Sequence, residues 1–258
     1  MNARKKKTER EPLHTRLWVR RGLALLALAA VVSAGHWSWT QLQRPELMPL
    51  KRVVVDGRLE HLRRDQLEAV VTLAVWGNYF TVDIDNVRRA ARSLPWVASA
   101  SVRRVWPDTL MINVKEREPF ARWGEKALIN REGEVFRPSS LDGVEDLPRL
   151  DGPDDMGLDV VEHFIGLKSA FGKAGYALWS LSLDERGGWR ARITGDIEVV
   201  LGGDRMESRL GRVLKVLAAL GTDAERIERI DGRYTSGLAI RWKEGTPEQV
   251  AAAVPVES

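Results

Sequence analysis

The chain has 258 residues and no cysteine, which excludes a disulfide framework, a thiolate metal site and a cysteine nucleophile. Its formal net charge is +4, but residues 1–21 carry eight basic and two acidic residues, so the rest of the chain is close to neutral. The basic charge therefore concerns membrane topology, and no nucleic-acid partner is predicted.

An uncharged stretch, residues 22–39, follows directly after two arginines. A helix of these eighteen residues would span about 27 Å, close to the hydrocarbon core of a bilayer. Because basic residues precede the stretch, the positive-inside rule predicts a cytoplasmic tail over residues 1–21 and a transmembrane helix over residues 22–40. The bulk of the chain then lies across the membrane.

A cleaved signal peptide is the alternative interpretation of the same stretch. Residues 32–34, Val-Ser-Ala, include small residues where a signal peptidase could cut. The uncharged stretch continues past this point to Trp37 and Trp39, which suit the aromatic belt at the outer interface of a spanning helix. We therefore expect a retained anchor.

Residues 50–118 are predicted to form a compact α+β domain with the element order β-α-α-β-β. Apolar residues recur at helical spacing in two segments, and β-branched runs bounded by turn residues indicate three strands. Asp85 is predicted to cap the second helix, and Phe80, Trp96 and Trp106 are predicted core residues. The predicted strands cover residues 52–57, 97–105 and 109–116, and the predicted helices cover residues 64–73 and 85–94.

Residues 119–244 are predicted to form a strand-rich domain with two helices, followed by a flexible tail over residues 245–258. The helices cover residues 158–173 and 205–220, and residues 138–155 are predicted to be a loop. Strands are predicted at residues 121–123, 126–130, 135–137, 177–184, 189–193, 197–201, 226–231 and 238–243. In the first helix the residues predicted to share one side are Val161, Phe164, Ile165 and Lys168.

The helix predicted over residues 205–220 has the clearest apolar periodicity in the chain. Its predicted core stripe consists of Leu210, Val213, Leu214, Leu217 and Leu220. Arg205, Arg209 and Arg212 line another face of the helix. The pattern alone leaves two interpretations open, a solvated helix surface and a basic strip for an acidic partner.

The terminal strand, predicted over residues 238–243, is the segment most suggestive of function. Its residues alternate as in a strand with one wet face, with Leu238, Ile240 and Trp242 on one side and Ala239, Arg241 and Lys243 on the other. No later segment is predicted to pair with it, so its outer edge could receive a strand from another chain. The alternative is a protected edge, either because Arg241 and Lys243 oppose aggregation or because a strand from earlier in the chain covers it.

Patterns typical of catalysis or cofactor binding are not found in the sequence. The four histidines have no metal-binding spacing, and no glycine-rich phosphate loop occurs. The neighbouring carboxylates Glu116 and Glu118, like Asp154 and Asp155, are predicted surface residues because no nucleophile accompanies them. The sequence therefore predicts no catalytic residue, no cofactor and no metal.

Several spaced motifs resemble the FtsQ/DivIB family of bacterial cell division proteins. They are Gly77-Asn78-Tyr79-Phe80-x-Val82-Asp83, Leu94-Pro95-Trp96-Val97, Arg103-Arg104-x-Trp106-Pro107 and Glu116-Arg117-x-Pro119-x-Ala121-Arg122-Trp123. The resemblance covers roughly residues 50–244. It implies an α+β fold with a single transmembrane helix, a POTRA domain and a β-rich carboxyl-terminal domain that ends in an open edge strand.

Two further motifs resemble the part of this family that binds partners. Asp231-x-Arg233-Tyr234-x-Ser236-Gly237-x-Ala239-x-x-Trp242 resembles the terminal segment that receives FtsB, itself paired with FtsL. Arg209-Leu210-x-Arg212 resembles the helix that supplies a basic partner-binding residue. The expected partner-binding residues are Arg209, Arg212, Tyr234, Ser236, Gly237, Leu238, Ala239 and Trp242.

The resemblance implies a non-enzymatic scaffold of the divisome that links early and late division proteins. It implies a single-pass protein of the bacterial inner membrane, with its amino terminus in the cytoplasm and its bulk in the periplasm at the septum. The alternatives are an anchored enzyme acting on peptidoglycan and a POTRA-containing secretion or assembly factor. The first needs a catalytic group that the sequence does not display, and the second usually continues into a barrel or further POTRA repeats.

Overall fold

The computed structural model describes residues 13–42, 48–203 and 205–243 of the chain. Residues 1–12 and the predicted flexible tail over residues 245–258 lie outside the described residues. The described helices are α1 (Leu13–Leu42), α2 (Arg64–Ala74), α3 (Ile84–Arg92), α4 (Gly157–Lys173) and α5 (Met206–Leu220). The described strands are β1 (Arg52–Asp56), β2 (Val97–Val105), β3 (Thr109–Glu116), β4 (Ala121–Trp123), β5 (Ala127–Ile129), β6 (Val135–Phe136), β7 (Arg149–Asp151), β8 (Leu178–Leu183), β9 (Trp189–Ile193), β10 (Ile197–Gly202), β11 (Ile227–Asp231) and β12 (Ala239–Trp242).

The amino-terminal helix α1 contains the predicted membrane span. Its stretch from Arg20 to Gln41 is long and apolar enough to cross a bilayer, and none of that stretch is buried by other parts of the protein. Helix α1 extends beyond the predicted span, residues 22–40, at both ends. An apolar helix surface that no protein covers is what a lipid environment requires.

Two compact units follow from the contacts within the chain. The first contains the residues up to Gly57 together with Arg64–Ala91 and Ala100–Val114, and the second contains Arg58–Arg63, Arg92–Ser99 and the residues from Lys115 onward. A three-stranded sheet has the order β1-β3-β2, with β1 parallel to β3. Together with α2 and α3 it has the predicted β-α-α-β-β order.

The core of the first unit confirms the helical periodicity and corrects the assignment of two aromatic residues. Its buried side chains include Leu67, Val71, Val87, Ala91, Leu110 and Ile112. Phe80 and Trp106, which were predicted core residues, are exposed. Phe80 lies in a turn before α3, and Trp106 lies in the turn between β2 and β3, where neither side chain faces the sheet. Trp96 is buried, as predicted.

Helix α3 is capped by Asp83, so the predicted cap at Asp85 is wrong. The backbone N–H of Asn86 donates to Oδ1 of Asp83 at 2.9 Å, which satisfies one of the free amides of the first turn. Asp85 lies inside that turn and pairs with Arg88 at 3.0 Å. The helix therefore begins two residues earlier than a cap at Asp85 would allow.

Glu116, which was predicted to be a surface residue, has a structural role in the second unit. Its carboxylate accepts the backbone N–H groups of Glu60, His61 and Leu62 at 2.6, 2.8 and 2.6 Å. The His61 ring stacks on Trp96 with 4.5 Å between ring centroids. Hydrogen bonds from several amides to one carboxylate are charge-assisted, so Glu116 holds the segment around His61 in place.

The second unit contains a nine-stranded sheet with the order β12-β11-β10-β9-β8-β7-β4-β5-β6. One face of this sheet packs against α4 and α5 in a single hydrophobic core. A row of cross-strand neighbours on that face is apolar across seven strands, from β4 to β12. Its members are Trp123, Leu150, Leu181, Ala191, Val199, Ile230 and Ile240.

The opposite face of the nine-stranded sheet is polar and rich in arginine. The adjacent row of cross-strand neighbours consists of Arg122, Arg149, Ser180, Arg192, Glu198, Arg229 and Arg241. Two of these arginines have a carboxylate from a neighbouring strand within reach, since Arg229 lies 3.4 Å from Glu198 and Arg241 lies 3.7 Å from Glu228. The sheet therefore has one buried face and one wet face, as strand alternation requires.

Two features of the second unit differ from the prediction. Residues 138–155 contain the short strand β7, which pairs in parallel with β4 and β8. In α4 the buried residues are Gly157, Val160, Val161, Phe164, Leu167 and Phe171. Ile165, which was predicted to lie on the core side, is 44% exposed, and Lys168 lies outside the core as well.

The corrected orientation of α4 predicts different effects for two adjacent substitutions. Phe164→Ala should lower the free energy of unfolding by about 3–5 kcal/mol, because it leaves a cavity in the core. Ile165→Ala, on the exposed side, should lower it by less than about 1 kcal/mol. Urea unfolding of both variants in detergent, followed by near-ultraviolet circular dichroism, measures the difference. Equal losses would contradict this orientation of α4.

Candidate partner-binding edge

Strand β12 is the outermost strand of the nine-stranded sheet. It pairs antiparallel with β11, in a register that sets Ile240 opposite Ile230 and Ala239 opposite Asp231. Within residues 13–42, 48–203 and 205–243, no strand pairs with its other side. The terminal edge is therefore open among the described residues, as the sequence predicted.

The backbone groups that point outward from β12 can be identified from its pairing. The N–H of Lys243 donates to the carbonyl of Arg226, on the β11 side, at 2.9 Å. The lateral direction of backbone groups alternates along an antiparallel strand, so Arg241 and Ala239 also face β11. Ile240 and Trp242 thus direct their N–H and C=O groups away from the sheet.

The side chains of β12 alternate as predicted. Leu238, Ile240 and Trp242 are half-buried against the hydrophobic core, whereas Ala239 and Arg241 are exposed. Trp242 therefore supports the strand from the core side. The exposed Ala239 lies on the arginine-rich face of the sheet, where a small side chain leaves the backbone accessible.

Arg212, a predicted partner-binding residue, bonds to the loop that leads into β12. From α5 its guanidinium donates to the carbonyl oxygens of Tyr234 at 2.9 Å, Thr235 at 3.3 Å and Gly232 at 3.4 Å. Its Nε is buried and has no hydrogen-bond partner among the described residues. Arg212 therefore positions the loop over residues 232–235. This role depends on the tertiary structure, which brings the three carbonyls close to α5.

Arg209 lies one turn earlier on α5 and is also half-buried. Its Nη1 donates to the carbonyl of Leu201, near the end of β10, at 2.7 Å. The neighbouring Gly202 has a φ of +68°, and a Cβ there would come within 2.6 Å of this nitrogen. Gly202 therefore suits both the positive φ and the closely placed guanidinium of Arg209, which lies beside the loop that precedes β12.

A further ion pair in the loop was not identified from the sequence. The Arg233 guanidinium donates to both carboxylate oxygens of Asp231, at 2.7 Å for the shortest contact, and the Arg233 N–H donates to Oδ1 at 3.1 Å. The side-chain hydrogen bonds from Arg233 hold the pKa of Asp231 below its usual range, although partial burial acts in the opposite direction. The Asp-x-Arg spacing at the end of a strand is the signal that could have identified this turn.

The remaining predicted site residues lie on the tip of the loop. Tyr234 is 58% exposed, so its ring is not part of the core. Ser236 is exposed as well, and Gly237 is half-buried. The structure thus brings Tyr234, Ser236 and Gly237 together beside the amino-terminal end of β12, with Arg209 and Arg212 behind the loop on α5.

Directly after the carboxyl-terminal end of β12, backbone carbonyls hold the side chain of Lys243. Lys243 Nζ donates to the carbonyls of Glu225 at 2.7 Å and Gly195 at 2.9 Å. Its charge is thus held beside the sheet edge.

Among the described residues, no group of three or more His, Asp or Glu side chains could hold a metal ion.

Comparison with protein families assigns two successive parts of the chain after α1. Residues 48–117 match the family described as POTRA domain, FtsQ-type. Residues 121–233 match the family described as Cell division protein FtsQ/DivIB, C-terminal. The second match includes Arg209, Arg212 and the beginning of the loop that precedes β12.

Similar proteins are found in several bacteria, each named Cell division protein FtsQ. The one from Allochromatium vinosum is 33% identical over 89% of this chain and 95% of its own length. The one from Coxiella burnetii is 31% identical over 93% of this chain and 97% of its own length. The one from Xanthomonas campestris pv. campestris is 35% identical over 90% of this chain and 85% of its own length.

These matches cover most of the chain on both sides of the comparison. They agree with the apolar amino-terminal helix, the β-α-α-β-β domain and the strand-rich domain. The chain therefore belongs to the FtsQ/DivIB family of bacterial cell division proteins.

Proposed function

We propose that this protein is a non-enzymatic, membrane-anchored scaffold of the divisome that captures FtsB, together with FtsL, by adding a partner strand to β12. The observation that carries the proposal is the open edge, where Ile240 and Trp242 direct their backbone N–H and C=O groups outward. An extended segment that pairs with this edge gains main-chain hydrogen bonds, and its side chains enter contacts on alternate faces.

The proposed location is the bacterial inner membrane at the division septum, with the amino terminus in the cytoplasm and the bulk of the protein in the periplasm. The charge of residues 1–21 and the apolar helix α1 support this topology. Anchoring confines the exported units and similarly anchored partners to one surface. Effective concentration then compensates for the entropy that the partner segment loses on ordering, and early and late division proteins can be linked.

The register of β12 also suggests the chemistry of the partner segment. A tenth strand would extend both cross-strand rows, so one partner side chain would lie beside Ile240 and the next beside Arg241. Cross-strand pairs of opposite charge are favourable and like charges are unfavourable. We therefore expect an apolar residue and an acidic residue in succession on the partner strand.

The loop before β12 is proposed to complete the binding surface. Tyr234 and Ser236 are exposed at its tip and can contact the partner directly. Arg212 holds the carbonyls behind them, and one nitrogen of Arg209 is held by Leu201. Arginine has five N–H donors, so Arg209 retains donors for a carboxylate of the partner.

The strand-addition model predicts different FtsB affinities for two substitutions of Ile240. Proline removes the outward N–H and is tolerated in an edge strand, whereas alanine reduces packing and keeps that N–H. Ile240→Pro should weaken FtsB binding by about tenfold or more relative to Ile240→Ala, which corresponds to about 1.4 kcal/mol. Binding of FtsB to the full-length protein in detergent, measured by microscale thermophoresis, tests this difference.

Ala239 is not a suitable site for that test, because its N–H faces β11 and proline there would break the sheet itself. Circular dichroism of both Ile240 variants should show a folded protein. If the folded Ile240→Pro variant binds FtsB as well as Ile240→Ala does, strand addition at this edge is wrong.

Arg212 is predicted to act as a positioning residue for the loop. Arg212→Met keeps the apolar stem but removes the contacts with three carbonyls, so the loop must be ordered when the partner binds. FtsB affinity should fall by about tenfold, and hydrogen exchange of the amides of residues 233–237 should become faster. Arg205→Met, at the exposed residue directly before α5, is the control. Two results would contradict this role: faster amide exchange in Arg205→Met, or unchanged amide exchange in Arg212→Met.

The Asp231–Arg233 pair predicts a pH dependence of stability. The folded pKa of Asp231 lies below its ordinary value, so its contribution is fully present above about pH 4 and is lost as the pH falls through the folded value. The difference in unfolding free energy between the natural protein and Asp231→Asn should be constant from pH 7 to about pH 5 and should shrink at lower pH. Urea unfolding across this range measures it, and a difference that grows on acidification would refute the assignment.

A further inference from the structure

The first unit exposes a group of large apolar side chains that its own core does not use. Trp76 and Trp106 are 77% and 74% exposed, and Leu73 and Phe80 are also exposed. We call Leu73, Trp76, Phe80 and Trp106 the apolar rim. Two exposed tryptophans in one small unit are a costly arrangement in water, which indicates that another phase or molecule covers them.

Backbone contacts place the apolar rim where the chain enters the first unit. The N–H of Tyr79, next to Phe80, donates to the carbonyl of Met48 at 3.1 Å. The N–H of Lys51 donates to the carbonyl of Asp108, two residues after Trp106, at 2.9 Å. Both aromatic turns therefore lie against the segment that follows the connection from α1.

A second set of contacts joins the two turns to each other. The guanidinium of Arg104, near the end of β2, donates to the carbonyls of Val82 at 2.7 Å and Phe80 at 3.4 Å. Leu73 and Trp76 lie together at the end of α2, since Trp76 Nε1 donates to the carbonyl of Leu73 at 2.8 Å. The side chain of Asn86, in α3, donates to the carbonyl of Ala74 at 3.2 Å and joins the end of α2 to the helix that follows the Phe80 turn.

The length of the connection from α1 limits how far the entry segment can lie from the membrane. Helix α1 ends at Leu42, and the next described residue is Met48. Six residue steps reach at most about 22 Å even when fully extended. The headgroup layer on one side of a bilayer is about 5–8 Å thick, so the connection keeps Met48 within about 15 Å of the membrane surface.

The charges around the apolar rim suit a phospholipid surface. Lys51 and Arg52 lie on the entry segment, and Arg103 lies on β2, the first strand of the hairpin that carries Trp106. Arg52 pairs with Asp108 at 3.2 Å. Tryptophan is favoured at the headgroup level of a membrane, and cations beside it can reach lipid phosphates.

We propose that the apolar rim lies in the headgroup region of the same membrane that α1 crosses, so that phospholipid covers Trp76 and Trp106 and fixes the orientation of the first unit. The inference rests on the membrane anchoring in the proposed function. It assigns a lipid contact to residues that strand addition at β12 does not use.

The chain has no cysteine, so spin labels can be introduced at single positions of the full-length protein. The three labelled variants are Leu73→Cys in the rim, Ser101→Cys in the middle of β2 and Ala29→Cys in α1. Each is reconstituted in vesicles of phosphatidylethanolamine and phosphatidylglycerol. Collision of the label with oxygen and with a water-soluble nickel chelate reports its depth by electron paramagnetic resonance. We expect the Ala29 label to be deep, the Leu73 label to be protected from nickel, and the Ser101 label to be aqueous.

Substitution of the rim tests what covers it. Adding Trp76→Gln and Trp106→Gln to the Leu73→Cys variant should remove the protection and bring its nickel collision rate to that of the Ser101 label. Trp179→Gln, an exposed tryptophan in the second unit, is the matched control and should leave the protection unchanged.

Each other outcome overturns the inference in a distinguishable way. A deep Ala29 label with a fully aqueous Leu73 label would sink the lipid contact and leave the anchor intact. An aqueous Ala29 label would refute the anchor itself. Protection of Leu73 that persists after both tryptophan substitutions would mean that a second protein copy or another part of the chain covers the rim.

Discussion

Burial of only one face of the nine-stranded sheet is the constraint on which the rest of the second unit depends. Helices α4 and α5 cover one face, and the apolar cross-strand row ends at Ile240 in β12. Because strand residues alternate between faces, this row fixes the orientation of every residue in the polar row beside it. The side chain of Ile240 packs against the core and so holds β12 at the margin of the sheet. The outward backbone groups of β12 remain accessible there.

Local patterns were sufficient to predict most elements because those elements have strong signals. Strands β2 and β3 begin and end where predicted, since β-branched runs surround a clear turn at residues 106–108. Strand β7 was missed because it lies between Pro148 and Pro153, which indicate a loop, and because its parallel partners are distant in sequence. In α4 the contiguous apolar residues fit more than one helical face, and only packing against the sheet selects Val160, Phe164 and Leu167.

The candidate site was predicted in its location but not in its internal roles. Strand order along the chain was enough to indicate an open terminal edge, because no predicted strand follows β12. The role of Arg212 could not be read from the sequence, since a long side chain on α5 can face water or a nearby loop and only tertiary structure decides between them. Phe80 and Trp106 show the same limit: aromatic residues usually form cores, yet these two lie in turns that cannot reach one.

An edge that is open to a partner strand is equally open to a second copy of the same protein. Strand β12 has no acidic residue, and Arg241 within it and Lys243 directly after it bring two positive charges to the margin. Two copies that paired through this edge would concentrate four cations along a short ladder, whereas an acidic segment would neutralise them. The side chains proposed to attract a partner therefore also oppose pairing of the protein with itself, which would keep the edge available in a crowded membrane.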